Sequence, residues 1–493
     1  MQLDLAFATK IPRHKGAQSL CVALCPGAFV AIALVIFLSI SVAAVQHQPA
    51  TAPQAETAAL LRQAVGLLQA GRLDDAEPLV RRALSAAPQN PDAHNLLGAI
   101  LDQRGRPAEA EREYREALRL NPHSITAQAN LGVLYARSRR NEQAIQAFES
   151  VLRAAPDHPQ ATANLGVLYA ARGDNERALP LLERANAQRP AQYDIVINLG
   201  VVYYRLQRLD EAARLLQSAA SFAPNAAEPL YYLGLTAAAR GASDAAIALW
   251  QQALEKRADF ADASFMIGEA LRQTRGAAAA KAYYERALNA DATKFAYYAR
   301  LGGVDLLLDQ GEAALDLFER AARRFPDIAE AHYFLGVAAR RQGLFDKAEA
   351  ALRRSLALKP DNADALAQLG YIVGQQDRLS EAEPLLRRAI ALGSRHIYAH
   401  YNLGRYLVKL RRYGEAEQVL ERAATISRDC PEVHYQLFLI YARLKRQDDA
   451  AREQAIFKEL QAEGLTRQKD QTCEPDNRNL PSAFEGKPAT GHQ

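Results

Sequence analysis

Asparagine side chains recur at a fixed spacing along the chain and could bind a polypeptide backbone. Asn130, Asn164 and Asn198 are spaced 34 residues apart, and Asn402 continues the same register. Each amide carries both a hydrogen-bond donor and an acceptor, so a row of amides can bind an extended peptide whatever its side chains are. An ordinary solvated helix face is the alternative interpretation, because only the first three asparagines occupy consecutive steps. We predict the row as the first candidate partner-binding site.

Aromatic side chains recur one position before these amides in the same register. They are Tyr231, Phe265, Tyr333, Tyr401 and Tyr435. Aromatic rings supply a large contact area with few rotatable bonds to restrict, which suits a groove that binds a partner. Packing between neighbouring repeats explains the same residues equally well, and both interpretations stay open. Tyr231, Tyr333 and Tyr401 are the aromatic residues that we predict to contact a partner.

Residue types that perform catalysis or bind metals are not arranged for either role. His94, His332, His400 and His434 share one repeat position, whereas a metal needs ligands that converge on one point. The four cysteines are too few and too scattered to predict a metal site. The sequence contains no phosphate-binding glycine loop and no HExxH or GxSxG motif. We therefore predict no catalytic residues, no metal and no cofactor, and we expect the protein not to be an enzyme.

Length and charge restrict the architecture and the partners. A chain of 493 residues exceeds the size at which one hydrophobic core stops growing, so several domains or a repeat array must be present. The formal net charge is only +4. A nucleic-acid-binding protein concentrates much more positive charge on one face. We expect no nucleic-acid partner.

The 34-residue register extends through most of the chain. Ten glycines mark it, namely Gly98, Gly132, Gly166, Gly200, Gly234, Gly268, Gly302, Gly336, Gly370 and Gly404. With this glycine counted as position 8, twelve windows follow one another without an insertion from Thr57 to Gly464. Position 20 is alanine from Ala76 to Ala450, position 24 is mostly large and apolar, and position 32 is often proline. A register of this length predicts a repeat array.

Each window has the pattern of two helices. Its apolar residues recur with helical spacing at positions 4, 7, 8 and 11 and again at 20, 24 and 27. Turn-forming residues separate the two runs. A glycine inside a helix costs about 1 kcal/mol relative to alanine, so we expect positions 8 and 20 to form the closest contact between the helices. Pro78, Pro180 and Pro384, at position 22, should delay or kink the start of the second helix.

This pattern resembles the tetratricopeptide repeat over residues 57–464. The matching features are Leu-Gly at positions 7 and 8, tyrosine at 11, alanine at 20 and 27, a large residue at 24 and proline at 32. The resemblance implies an all-α, right-handed superhelical solenoid of about twelve antiparallel helix hairpins. It also implies that positions 2, 5, 6, 9, 12 and 13 of the first helices line the concave surface, where a partner would bind.

The amide row resembles the asparagine ladder in the repeat domain of O-linked N-acetylglucosamine transferases. The resemblance ends with the repeats and therefore implies no transferase activity. Some family members bind a C-terminal carboxylate through lysine at position 5 and asparagine at position 9. No repeat of this chain has that pair, which argues against this specialised role.

The two ends of the chain differ from the repeats. A basic flank, residues 1–19, precedes an uncharged and largely apolar segment, residues 20–45, which predicts either a cleaved signal peptide or a membrane anchor. Because the basic residues come first, the repeats are expected to cross the membrane. Residues 46–56 are predicted to be a linker, and residues 465–493 a disordered tail.

Together these features predict a non-enzymatic scaffold that binds partner proteins or extended peptides on its concave surface. We expect it on the extracytoplasmic side of a bacterial membrane, where it would serve envelope assembly, either anchored or released into the periplasm or medium. A cytoplasmic or signalling adaptor is the alternative. A glycosyltransferase-like repeat domain without its catalytic part is a further one. The sequence does not determine the oligomeric state.

Overall fold

The computed structural model describes residues 52–466, and within them every regular element is an α-helix. These helices belong to two compact units, one ending at Ala258 and the other beginning at Asp259. Each unit is a stack of six antiparallel helix hairpins. The predicted all-α repeat fold of twelve hairpins is therefore confirmed for this part of the chain.

The first unit contains helices α1 to α12. The first helices of its hairpins are α1 (Ala52–Gln69), α3 (Pro91–Gln103), α5 (Ile125–Arg137), α7 (Pro159–Arg172), α9 (Tyr193–Arg205) and α11 (Glu228–Ala239). The second helices are α2 (Leu73–Ala86), α4 (Pro107–Leu120), α6 (Asn141–Ala154), α8 (Asn175–Gln188), α10 (Leu209–Phe222) and α12 (Ser243–Lys256).

The second unit contains helices α13 to α24. Its first helices are α13 (Ala261–Arg275), α15 (Phe295–Leu307), α17 (Ala329–Arg341), α19 (Ala363–Gln375), α21 (Ile397–Lys409) and α23 (Pro431–Arg443). Its second helices are α14 (Ala277–Ala290), α16 (Gly311–Arg324), α18 (Phe345–Leu358), α20 (Leu379–Leu392), α22 (Tyr413–Ile426) and α24 (Gln447–Thr466).

The turn inside each hairpin has a left-handed residue at repeat position 15 in eleven of the twelve repeats. Glycine occupies it at Gly71, Gly105, Gly173, Gly241 and Gly343. Other residues adopt the same positive φ at Arg139, Gln207, Asp309, Asp377, Arg411 and Lys445. Glycine tolerates this conformation without steric cost, whereas other residues do so less readily. Packing of the two helices therefore imposes the turn even where glycine is absent.

The glycine at position 8 receives the large side chain at position 24 rather than the alanine at position 20. A Cβ atom on Gly132 would lie 2.9 Å from the ring of Phe148, and one on Gly98 would lie 2.7 Å from the ring of Tyr114. The same contact recurs at all ten glycines. The nearest atoms belong to position 24 and not to the expected position 20, although the carbonyl oxygens of Ala348 and Ala382 at position 20 also lie 3.3 and 3.4 Å from the Cβ positions of Gly336 and Gly370. The missing side chain makes room for a buried ring or leucine instead.

Three further expectations from the sequence need correction. Pro78, Pro180 and Pro384 lie inside helices that begin at position 17, as all other second helices do, so they do not delay the helix start. Residues 52–56 of the predicted linker are helical, because α1 begins at Ala52. Helix α24 ends at Thr466, two residues into the predicted tail.

The predicted basic flank and apolar segment at the N-terminus lie outside the described residues, as does nearly all of the predicted tail. Among the helices that the structure does describe, none combines the length and the apolar character of a membrane span.

Within each unit, the first helices lie closer together than the second helices do. Successive first helices contact one another, as α5 does with α3 and α7 in the first unit and α19 does with α17 and α21 in the second. Second helices contact mainly their own first helix and the first helix that follows. The first helices therefore line the inner face of each unit, and a site on this face combines residues from successive repeats.

Candidate functional site

The inner face of the first unit carries the three consecutive asparagines of the predicted row. Asn130, Asn164 and Asn198 lie on α5, α7 and α9, and all three are half-buried. Asn130 Nδ2 donates a hydrogen bond of 3.0 Å to Oδ1 of Asn95 on α3. This bond links the amides of two successive repeats and fixes the orientation of both side chains.

The other two asparagines differ in how they use their donors. Asn198 Nδ2 donates to the carbonyl oxygen of Asp194 one turn earlier in its own helix, at 2.7 Å. Asn164 Nδ2 is shielded from solvent and has no hydrogen-bond partner among the described residues. A buried donor without a partner costs about 1–3 kcal/mol. Because the side chain as a whole is half-buried, a rotation of its amide brings this donor to the surface, and Asn164 is then the member of the row that gains most from a bound carbonyl group.

Four of the predicted contact residues are buried in the core. The exposed fraction is 4% for Tyr231, 7% for Tyr333, 8% for Tyr401 and zero for Asn402. The ring of Tyr231 packs edge-on against that of Tyr232 at 5.3 Å. These side chains do not present a free surface, which corrects their prediction as partner contacts.

Their hydrogen bonds are also internal. The carbonyl of Tyr231 accepts a 3.0 Å hydrogen bond from Nε1 of the buried Trp250. Asn402 Nδ2 donates to the carbonyl of Tyr398 at 2.9 Å. The packing interpretation, which the sequence left open for the aromatic residues, describes Tyr231, Tyr333 and Tyr401 in this fold.

The inner face of the second unit carries a cluster that the asparagine and tyrosine spacing does not reveal. Arg340, Tyr371 and Arg405 lie on α17, α19 and α21, and all three are half-buried. The guanidinium carbons of Arg340 and Arg405 are 5.6 and 5.8 Å from the centre of the Tyr371 ring. We call these three residues the arginine–tyrosine cluster. In the sequence this cluster is indicated only by the repeat positions of its members. Tyr371 and Arg405 stand at position 9 and Arg340 at position 12, both of which face inward.

Tyr406 holds this cluster in place from α21. Its hydroxyl donates to the carbonyl oxygen of Tyr371 at 2.9 Å, and its ring lies 5.2 Å from the guanidinium of Arg405. Burial raises the pKa of Tyr406 to about 12, so the hydroxyl stays protonated and keeps this donor role at neutral pH. The bond connects two successive first helices directly beside the arginines.

The outer faces carry ion pairs that join successive repeats. Arg140 Nη1 contacts Glu111 at 2.6 Å, and its guanidinium lies 4.3 Å from the centre of the Tyr135 ring. The hydrogen bonds from Arg140 lower the pKa of Glu111 below its usual value. The second unit repeats the ion pair between Arg378 and Glu349, Arg412 and Glu383, and Arg446 and Glu417. These arginines are already neutralised and have a structural role.

The four histidines of repeat position 4 also bridge repeats. The Nε2 atoms of His94, His332, His400 and His434 lie 2.9 to 3.2 Å from the backbone carbonyl six residues earlier. This contact ties each first helix to the end of the preceding repeat. Among the described residues, no group of three or more His, Cys, Asp or Glu side chains is placed to hold a metal ion.

An open groove of about 790 Å³ lies on the outer side of the first unit. Helices α8 and α10 form its walls, with Glu183 and Arg214 among the lining residues, and Tyr203 of α9 contributes to its floor. The hydroxyl of Tyr203 donates to Glu183 at 2.5 Å. The hydroxyl of Tyr203 and the carboxylate of Glu183 therefore already have a partner inside the groove.

Sequence comparison assigns these repeats to a class of protein. Two profiles described as tetratricopeptide repeat match residues 61–125, 231–296, 304–363 and 401–455, and residues 103–168 and 169–235. A profile described as anaphase-promoting complex, cyclosome, subunit 3 matches residues 341–423. The chain belongs to the tetratricopeptide repeat family, whose members act as scaffolds for protein interactions.

Solved structures show only loose similarity. YrrB, described as a TPR protein with an unusual peptide-binding site, is 22% identical, with 37% of this chain and 95% of that chain aligned at a TM-score of 0.36. A chain of the APC/C hetero-tetramer Cut9–Hcn1 is 13% identical, with 87% and 96% aligned at 0.41. Yeast Tom70 is 14% identical, with 87% and 99% aligned at 0.34. These TM-scores support no argument about function. No curated protein sequence matches the chain.

Proposed function

We propose that the inner face of the first unit binds extended segments of partner proteins through the amides of Asn130, Asn164 and Asn198. The unpaired, shielded Nδ2 donor of Asn164 is the observation that carries this proposal. An amide forms hydrogen bonds with the peptide backbone, which is the same in every polypeptide. Such a surface therefore suits a scaffold that binds many different protein sequences.

The spacing of the helices supports an extended ligand. Packed helices lie about 8–10 Å apart, and an extended chain advances about 3.3 Å per residue. A peptide that crosses α5, α7 and α9 would therefore meet one asparagine for roughly every third residue. The side chains between these contacts would point away from the asparagines, so the site would accept many different partner sequences.

Site-specific crosslinking tests the binding surface. A photoreactive residue replaces Asn164 on the inner face in one variant and Gln217, an exposed residue of α10 on the outer side, in the matched control. We expect partner proteins to be crosslinked from position 164 and not from position 217. Equal labelling from both positions, or labelling from 217 alone, would exclude the inner face of the first unit as the binding surface.

The proposal extends to the location of the repeats. The basic flank and apolar segment of residues 1–45 support a protein that holds its repeats on the extracytoplasmic side of a bacterial membrane, in envelope assembly. The cytoplasmic adaptor is the alternative. Protease treatment of spheroplasts separates the two, since only exported repeats would be digested. N-terminal sequencing of the mature chain would then distinguish a cleaved signal from an anchor.

A further inference from the structure

The arginine–tyrosine cluster of Arg340, Tyr371 and Arg405 joins three successive first helices of the second unit. Arg405 is the most confined of its members, because its guanidinium also lies 5.8 Å from the centre of the Tyr401 ring. Three half-buried side chains thus form one cationic and aromatic surface on the inner face. Aromatic faces stabilise guanidinium groups and restrict their orientation.

The two arginines lack a carboxylate partner among the described residues. Within residues 52–466 the side chain of Arg405 donates only a long hydrogen bond of 3.4 Å, from Nη2 to the hydroxyl of Tyr406. Nε of Arg340 is shielded from solvent and has no hydrogen-bond partner in that part of the chain. Arg378, Arg412 and Arg446, by contrast, each have a glutamate within ion-pair distance. The cluster therefore carries positive charge that the described fold leaves uncompensated.

In repeat 7 of the same unit, a glutamate compensates the positive charge of two arginines on the inner face. Glu269 occupies repeat position 9, the position of Tyr371, and contacts Arg300 at 2.9 Å and Arg272 at 3.6 Å. Arg272 occupies position 12, the position of Arg340. In repeat 7 a glutamate lies between an arginine of its own helix and an arginine of the next first helix, whereas in the cluster a tyrosine lies between arginines of the preceding and the following first helices. The negative charge that repeat 7 supplies internally is absent from the cluster.

We propose that the cluster binds an acidic segment of a partner polypeptide through its Asp or Glu side chains. This inference rests on the proposed function, since it names the chemistry of a partner that the inner faces would bind. A carboxylate forms short, charge-assisted and often bidentate hydrogen bonds with guanidinium. Partial burial strengthens the attraction, because the effective dielectric is lower there than in water.

The geometry also selects the spacing of the acidic residues. In an extended chain, alternate side chains project to the same side. Since both guanidiniums border the ring of Tyr371, two acidic residues separated by one residue can reach Arg340 and Arg405 together. The segment that fits has the pattern acidic–any–acidic, and the side chain of the residue between the two acidic residues points away from the cluster.

Fluorescence anisotropy tests the proposal with the full-length protein in mild detergent. The probe is a fluorescein-labelled peptide of alternating glutamate and alanine, and the control peptide has glutamine in place of glutamate. We expect the glutamine peptide to bind at least about tenfold more weakly. Arg405→Gln and Arg340→Gln should each weaken binding of the glutamate peptide by about tenfold. Arg272→Gln, the matched variant at an already neutralised arginine, should leave it within about twofold.

Two further variants keep the test decisive if a glutamine variant misfolds. Tyr371→Glu places the carboxylate of repeat 7 inside the cluster and should abolish binding of the glutamate peptide. Arg405→Lys keeps the charge but loses the planar fork, so it should retain part of the affinity. Circular dichroism melting curves establish that each variant is folded.

The outcomes separate this proposal from the proposed function. Equal affinity for the glutamate and glutamine peptides, or an equal loss in Arg272→Gln and Arg340→Gln, would overturn the acidic segment as the ligand. If position 164 crosslinks a partner while the glutamate peptide does not bind, the scaffold proposal stands and this one fails. If the peptide binds through the arginines while position 164 labels nothing, the cluster stands and the amide row fails.

Discussion

The inner faces of the two units use the same scaffold for different chemistry. In the first unit the face carries the half-buried amides Asn130, Asn164 and Asn198, which have no net charge. In the second unit it carries Arg340 and Arg405 around Tyr371. Both units keep glycine at position 8 under a large residue at position 24. The scaffold positions and the surface positions of the repeat therefore vary independently.

This independence has a physical basis. Position 8 faces the second helix of its own hairpin, where added atoms meet a buried side chain, so its residue type is constrained in the ten repeats that have glycine there. Positions 6, 9 and 12 face the inner surface in part, and substitutions there cost the fold little. Different partners can thus be bound along one array without a change in the helices that position the contacts.

The largest expected effect is a loss of stability common to both units. Gly132→Ala in the first unit and Gly268→Ala in the second place a Cβ atom 2.9 Å from Phe148 and 2.7 Å from Tyr284. Each should lower the free energy of unfolding by about 1–3 kcal/mol, because overpacking outweighs the gain in helix propensity. Urea denaturation measures this. If either variant were more stable than the natural chain, position 8 would not be a shared steric constraint.

The next effect distinguishes the two inner faces by their response to salt. Binding of the glutamate–alanine peptide should weaken by roughly fivefold when sodium chloride rises from about 50 to about 500 mM, because ions screen exposed charges. Crosslinking of a partner from position 164 should change little, since neutral amides carry no net charge. If peptide binding were insensitive to salt, the inner face of the second unit would not bind the peptide through charge, and the proposed difference between the two faces would be wrong.

A smaller effect is expected from two histidines of the second unit, whose pKa values shift in opposite directions. The hydrogen bond to Glu453 raises the pKa of His434 above 6.5, and burial lowers the pKa of His400 below it. The stability due to His434 is complete below pH 6.5 and is lost as pH rises through its raised pKa. The stability due to neutral His400 is present above pH 6.5 and is lost as pH falls towards its lowered pKa.

Single variants separate these two contributions. His434→Gln should remove about 1 kcal/mol at pH 6 and less at pH 8.5, whereas His400→Gln should make stability less sensitive to acid. Urea denaturation between about pH 5 and 9 provides the comparison. A loss in His434→Gln that is larger at pH 8.5 than at pH 6 would contradict the assigned direction.

The smallest effect concerns the hairpin turns, which are alike in the two units. Gln207 in the first unit and Arg411 in the second have φ values of 61°. Replacing either by glycine should raise stability by at most about 1 kcal/mol, because glycine removes the left-handed strain but gains entropy when unfolded. Gly343→Ala should have the opposite sign. Thermal unfolding of all three variants checks that the turn geometry is common to both units.

The 34-residue register was sufficient to predict the helical hairpins and their number. All second helices begin at position 17, and ten of the first helices begin at position 1, so one repeated pattern determines most boundaries. The register also located the glycines correctly as points of close approach. It did not identify the partner of each glycine, because positions 20 and 24 both lie on the buried face of the second helix and only packing distinguishes them.

The candidate site could be predicted only in part. Asn164 and Asn402 occupy the same repeat position, yet the first is half-buried and the second has no exposed surface. Residues three apart on a helix are neighbours. The neighbour of Asn164 is Val167, whereas that of Asn402 is the larger Arg405, which packs among tyrosine rings. The repeat position therefore determines the direction in which a side chain points. The size of the neighbouring side chains determines whether that side chain is exposed to solvent.

The amino-acid sequence by itself determined the repeat length, the all-α hairpin architecture and the small residue required at position 8. These properties follow from local helix periodicity and from a volume constraint that recurs in the ten repeats with glycine at position 8. Only the tertiary structure decided that Tyr231, Tyr333, Tyr401 and Asn402 are core residues. It also decided that Arg340 and Arg405 meet at one ring, because side chains from three repeats become neighbours only after the helices have packed.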